Sequence, residues 1–154
     1  MFQIKDFLEQ DQNREEFTNN EIKKYGIDTT SSDYLFEFIY SKMRLTSYFQ
    51  PLVILALLDQ AGLASVDDIA EFILEYKTDK KGKNAKKLKE DQRKGVEYIK
   101  TRLKVYPKQV LRKHGIIEFA GNASIWALPF ELYTGDFERF KDILNRRLNV
   151  HLSK

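Results

Sequence analysis

The sequence predicts a mainly α-helical fold carrying one small β-hairpin. Three observations carry this prediction. Apolar residues recur at helical spacing over most of the chain, Pro51 and Pro107 stand where helices start, and between Ile117 and Leu128 the apolar period drops to near two. The stretch 98–128 sets the order. Pro107 has a fixed φ and no N–H, so it suits the first turn of a short helix and limits the preceding one to about Val105. Gly115 ends that helix, because a left-handed cap is cheapest without a Cβ. Two alternating runs follow, Ile117 and Phe119, then Ile125 and Ala127 or Trp126 and Leu128, with Gly121-Asn122 between them as a pair suited to a tight turn. Basic helix, proline-started helix and hairpin is the order of a winged helix-turn-helix. The predicted architecture is that fold with extra N-terminal and C-terminal helices: a helical extension over 1–45, a core over 46–130 with a basic loop at 78–90, and a C-terminal helix within 131–154.

Taken in order, residues 1–26 show helical character through Phe2, Ile4, Phe7, Leu8, Phe17, Ile22 and Tyr25, broken near 11–14 and closed by Gly26. A loop of Asp, Thr and Ser at 28–33 offers Ser32 or Asp33 as a cap. Tyr34, Leu35, Phe38, Ile39 and Met43 then predict a helix over 33–44. The run 52–58, opened by Pro51 and followed by Gly62, reads as a buried central helix rather than a strand. Leu63-Ala64 is a short extended segment, and Ser65 with Asp68 three residues on forms a weak capping box. Ile69, Phe72, Ile73 and Tyr76 mark one face of a helix over 66–77.

Six lysines with only Ala85 and Leu88 as apolar residues make 78–90 a mobile loop or the frayed start of the next helix. That helix, over about 91–105, buries Val96, Ile99 and Leu103, has its first turn weakened by Gly95, and sets Lys100 and Lys104 on one face. In the last helix, capped by Thr134 or Asp136, the spacing of Phe137, Phe140, Leu144 and Leu148 makes one apolar seam. The seam folds back on the domain or pairs with another chain; folding back is favoured.

Composition narrows the function. The chain has 154 residues, 42% hydrophobic and 13% aromatic, and is long enough to bury roughly two-thirds of its unfolded surface in one domain. There are no cysteines, which excludes disulfides, thiol catalysis and cysteine-ligated metals. The longest apolar run, 52–58, falls far short of the roughly 20 residues that span a bilayer, so no membrane partner is expected. The first residues are too charged for a secretory signal, and a cytoplasmic location is expected. Net charge is only +3, yet 77–114 carries 15 Lys and Arg against four acids, +11, leaving −8 for the remainder. Such segregation suits a polyanion on one side.

No catalytic constellation stands out, and neither an enzyme, a cofactor nor a metal site is expected. His114 and His151 are isolated from any metal-ligand spacing, and no glycine loop cradles phosphate. Glu75-Tyr-Lys77 and Glu21-Ile-Lys23 match a nuclease fragment but fall on helices, where that chemistry needs a strand. The candidate site is a double-stranded DNA contact. Lys100, Lys104, Lys108, Arg112 and Lys113 hold phosphates, Lys80, Lys81, Lys83, Lys86 and Lys87 reach over the backbone from the basic loop, and Asn122 approaches a minor groove. Trp126 reads as a core anchor. The alternative is a protein-interaction or homodimerisation scaffold using the C-terminal seam or the aromatic N-terminal helix.

The segments YFQPLVILALLDQAG, SVDDIAEFILEY, YPKQVLRKHGIIEFAG and ERFKDILNRRL resemble a helical and winged-helix module of bacterial restriction or phage-defence proteins. The resemblance spans about 47–148 and is strongest over 51–58 and 110–117. It implies a DNA-related setting beside a DEAD-like helicase or a His-Asn-His endonuclease, as a neighbouring domain or a separate subunit. It carries over no catalytic residue, and the lysine-rich stretch is longer and more basic than the pattern.

Overall fold

A helix that is apolar on every side holds only if other elements enclose it, and helix α2 (Phe49–Asp59) is such a helix: every residue from Phe49 to Leu58 is buried. The computed structural model describes residues 30–154; the helices expected within 1–26 lie outside them. Before α2 come α1 (Ser32–Glu37) and a π-helical turn (Phe38–Lys42). After it come β1 (Leu63–Ser65), α3 (Val66–Glu75), α4 (Lys83–Arg93), α5 (Val96–Leu103) and α6 (Tyr106–Lys113). Strands β2 (Glu118–Ala120) and β3 (Ile125–Ala127) and the long α7 (Thr134–Leu152) complete the chain. The result is mainly helical with a small three-stranded antiparallel sheet. Against α2 pack α3, α6, α7 and β1.

The hairpin forms as expected and gains a third strand. Sheet order is β1-β3-β2, with Trp126 of the central strand opposite Ala64 on one side and Phe119 on the other. Three residues cannot hold themselves extended, so β1 depends on this pairing. The turn differs from the two-residue one expected. Ala120 pairs with Ile125, so the loop is 121–124, and Gly121, Asn122 and Ala123 all take positive φ.

Several local expectations hold. Ser65 Oγ accepts the Asp68 N–H at 3.0 Å at the start of α3, and Gly115, at φ +72, closes α6. The carboxylate of Asp136 accepts the Tyr133 N–H at 3.0 Å at the start of α7. Phe140, Leu144, Leu148 and Leu152 of α7 are fully buried and Phe137 is half-buried, so the C-terminal seam folds back on the domain and is not available as a dimer surface.

Three expectations are corrected. The helix predicted over 33–44 is α-helical only to Glu37 and continues as the π turn, in which the Met43 N–H reaches the Phe38 carbonyl at 2.7 Å. The second correction is the lysine-rich stretch: 83–93 is helix α4, and only its approach through 76–82 is irregular. Its lysines face outward while Ala85, Leu88 and Asp91, three apart, face inward. Tertiary bonds fasten it: the Tyr48 hydroxyl donates to Asp91, Gln92 Nε2 donates to the Ile73 and Tyr76 carbonyls at 2.9 and 2.7 Å, and Asn84 Nδ2 donates to the His151 carbonyl at 2.9 Å. Gln92 thereby bonds the carbonyls at the end of α3, where that of Ile73 also accepts the Tyr76 N–H at 3.3 Å. Thirdly, the single helix expected over 91–105 is two. Gly95, at φ +96, turns the chain between α4 and α5 in a conformation that side chains with a Cβ rarely adopt.

Burial pushes the Asp91 carboxyl above its ordinary 3.8, opposed by nearby Lys94 and Arg102 and by a hydrogen bond from Tyr98. An acid whose folded value is raised favours the folded state most when protonated. Its contribution is therefore fully present below the unfolded value and is lost as pH rises through the window up to the folded value. Asp91→Asn keeps an acceptor for Tyr48 without the charge. Its melting temperature is expected to equal or exceed that of the parent at neutral pH, with the difference shrinking as pH falls toward the unfolded value. Paired thermal melts across pH check this.

Candidate nucleic-acid interface

Helix α6 owes its position to Pro107 and Leu111, both buried, which seat it on α2. Helical spacing then turns Gln109, Arg112 and Lys113 to solvent. Lys108 and Arg112, one turn apart, share an aromatic support. The Lys108 ammonium lies 5.0 Å, and the Arg112 guanidinium 5.5 Å, from the ring centroid of Phe119 on β2. Phe119 rests in turn on Trp126 with centroids 5.6 Å apart. Trp126 is fully buried and its indole N–H donates to the Ala123 carbonyl at 3.1 Å, so it is the core anchor expected rather than a stacking platform.

Lys104 caps the end of α5 and is exposed, one turn before Lys108. Lys104, Lys108, Arg112 and Lys113 form no ion pair with any described acid. Their chemistry is that of a cationic edge running from the end of α5 along α6.

Lys100 differs. Its ammonium lies 2.6 Å from Asp67 of α3 and 3.7 Å from Glu97, with the side chain 23% exposed. The hydrogen bond that its ammonium donates to Asp67 is the first cause holding its pKa above the ordinary lysine value. The face it was expected to share with Lys104 is thus turned partly onto α3, and Lys100 is occupied within the protein.

The other lysines stand on a different support. Lys83, Lys86 and Lys87 are exposed on α4, and Lys81 precedes them; Lys80 is half-buried with Asp79 at 3.9 Å. Helix α4 packs on α3, α5 and α7, while α6 packs on α2 and α5. The cations expected on one side therefore divide between α4 with its approach and α6, with Lys100 and Lys104 on α5 between them. Asn122 is exposed in the hairpin loop at φ +58.

Neither histidine sits in a metal arrangement. Among the described residues, no cluster of three His, Cys, Asp or Glu could hold a metal ion. His114 is half-buried against Phe38 at 5.3 Å, and its carbonyl accepts the Tyr34 hydroxyl at 2.7 Å. Burial of that hydroxyl pushes the Tyr34 pKa up to about 12. Burial, aided by Lys154, lowers the His151 pKa. Glu75 ends α3 with Lys77 just beyond it, on no strand; Glu21 and Lys23 lie outside the described residues. No described helix is long and apolar enough to cross a membrane.

Sequence reasoning passed over Gln109, on the outward face of α6, although it sits one residue from Lys108 and three from Arg112. It also passed over Lys42 and Arg44, which the fold brings to the other flank of α6 beside Lys113. No local pattern pairs residues about 70 positions apart.

No family model, curated protein or solved structure matches the chain.

Proposed function

We propose that the protein is a DNA-binding winged-helix domain in which α6 is the helix presented to duplex DNA. The observation that carries this reading is the outward face of α6: Lys108, Gln109, Arg112 and Lys113 stand together without an ion-pairing acid, directly before the hairpin. Strand, helix, later helix and hairpin, with sheet order β1-β3-β2, follow the winged helix-turn-helix order, α4 and α5 being inserted before the presented helix. Lys104, Lys108 and Lys113 hold phosphates. Arg112 and Gln109 reach base edges, since Arg pairs with guanine and Gln with adenine in the major groove. Asn122 of the hairpin loop approaches the neighbouring groove. The charges Lys80, Lys81, Lys83, Lys86 and Lys87 act over a longer range, drawing the strand toward the protein rather than fixing its register.

The setting proposed is bacterial restriction or anti-phage defence, in the cytoplasm, beside a helicase or nuclease partner; the resemblance over 47–148 supports it. The domain itself is read as a non-enzymatic module. The scaffold alternative loses its C-terminal seam to the core, and no described feature favours it over DNA.

The test is a salt titration of duplex binding by the full chain. With these three phosphate contacts, log K against log salt should fall with a slope of about −3. A slope shallower than about −1 would leave fewer than two contacts and reject the reading.

A further inference from the structure

Two cations one helical turn apart repel each other, so Lys108 and Arg112 left to themselves would splay. A shared ring holds them together instead. Both charges stand over Phe119 of β2, the ammonium at 5.0 Å and the guanidinium at 5.5 Å from the ring centroid, and the negative face of the ring offsets their repulsion. The ring itself is not free to follow them. Phe119 lies opposite Trp126 across the strands, and that fully buried indole is fixed by its bond to the Ala123 carbonyl, so the core of the sheet backs the ring. What the ring leaves unused matters most. An acid holding Arg112 would occupy part of its donor fork, as the Asp67 carboxylate occupies Lys100. Phe119 attracts the charge through its π face, and the Arg112 side chain donates no hydrogen bond to any described residue. Glu118 borders the same hollow between α6 and the sheet, yet it forms no ion pair with Arg112.

We infer that Phe119 is the positioning residue for sequence discrimination: it fixes Arg112 where the guanidinium, its fork open, reads a guanine in the major groove. Guanine presents there the O6 and N7 acceptors that such a fork matches. The inference rests on the DNA-binding reading and adds to it the residue on which selectivity depends. A lysine finds a phosphate from many rotamers, since its ammonium is a point charge on a flexible stem. A bidentate contact tolerates few. Side chains released from the ring have to be ordered again on binding, so loss of Phe119 weakens the guanine contact more than the phosphate contacts.

The experiment selects from a pool of duplexes with a randomised centre, using the full parent chain, Phe119→Leu and Phe119→Tyr, and then remeasures the enriched duplex with 7-deazaguanine in place of guanine. That base keeps its pairing and lacks the N7 acceptor. The parent should enrich a guanine and lose about tenfold or more in affinity on the replacement, as a bidentate contact is worth. Phe119→Leu should lose less than about threefold on the replacement, with its salt slope unchanged because no charge is removed. Phe119→Tyr keeps the ring and should match the parent. Proton NMR of the free proteins gives a readout without DNA: the Lys108 Hε and Arg112 Hδ resonances, shifted upfield by the ring in the parent, should return to ordinary positions in Phe119→Leu. Thermal melts confirm folding, and Phe119→Met, equally without a ring, replaces Phe119→Leu if that variant does not fold. A parent without the upfield shifts overturns the inference. So does a ringless variant that keeps the parent's discrimination against 7-deazaguanine. Equal affinity of the parent for both bases assigns Arg112 to phosphate and also overturns it, with duplex binding intact. Absence of duplex binding by a parent that shows the upfield shifts rejects the DNA reading, and this use of Arg112 with it.

Discussion

Reversing both cations that lie over Phe119, Lys108→Glu with Arg112→Glu, is expected to reduce duplex affinity by more than about 100-fold at moderate salt while leaving the fold intact. Each phosphate contact contributes about 0.9 to the salt slope, so losing that of Lys108 should flatten it by about 1, and by about 2 if Arg112 also lies on a phosphate. The reversed charges add repulsion from the same positions. Both side chains lie on the outer side of α6 with no acid to strand, so the reversal breaks no ion pair among the described residues. Lys100→Ala supplies the internal comparison. Its ammonium is already held by Asp67 at 2.6 Å, so its loss should change duplex affinity by less than about threefold. Fluorescence anisotropy across salt, with the parent, the double reversal, Lys100→Ala and Arg112→Ala side by side, reads the contrast. Equal losses in Lys100→Ala and Arg112→Ala would mean that α6 has no privileged role. A uniform loss over unrelated duplexes assigns Arg112 to phosphate, and a loss confined to preferred sequences assigns it to a base edge.

Why Lys100 and Arg112 separate in the structure but not in the sequence is a matter of distance along the chain. Asp67 lies 33 positions before Lys100, and only the packing of α3 on α5 brings them together. Elements whose cause is local were legible. Pro107 and Gly115 bracket α6, Ser65 caps α3, and Phe140, Leu144 and Leu148 share one face of α7. Helix α4 was obscured for the opposite reason. Lysine favours helix nearly as well as leucine does, but the stretch has too little apolar surface to stand alone. What orders it is supplied by other elements: Tyr48 to Asp91, Gln92 to the end of α3, Asn84 to the end of α7. The recurrence of Ala85, Leu88 and Asp91 was a visible trace of its inner face, outweighed by six lysines. A cavity bordered by Lys42, Gln50 and Lys113 had no trace at all, because its lining comes from three elements.

Trp126→Ala is expected to destabilise the protein by about 3–5 kcal/mol, a large part of the roughly 5–15 kcal/mol that holds a domain together. Trp126 is the largest fully buried side chain, it lies in the central strand of the sheet, and its removal leaves a void that the neighbouring strands can close only by losing register. The indole N–H bond to Ala123 disappears as well, loosening the loop that carries Asn122. The damage should travel further. Phe119 rests on Trp126 and supports Lys108 and Arg112, so the presented face of α6 loses its aromatic backing together with the core. Trp126→Phe separates the contributions: it retains a ring but no N–H, and should cost less than Trp126→Ala. Urea unfolding of the three proteins gives the ordering. Duplex affinity measured where each variant is folded then distinguishes a core anchor from a base-contacting tryptophan. An anchor predicts that Trp126→Phe binds within about threefold of the parent, since a fully buried ring offers no stacking surface to a base. A loss near tenfold or more in a fully folded Trp126→Phe would place the indole at the nucleic acid and contradict the packing that joins sheet to helix.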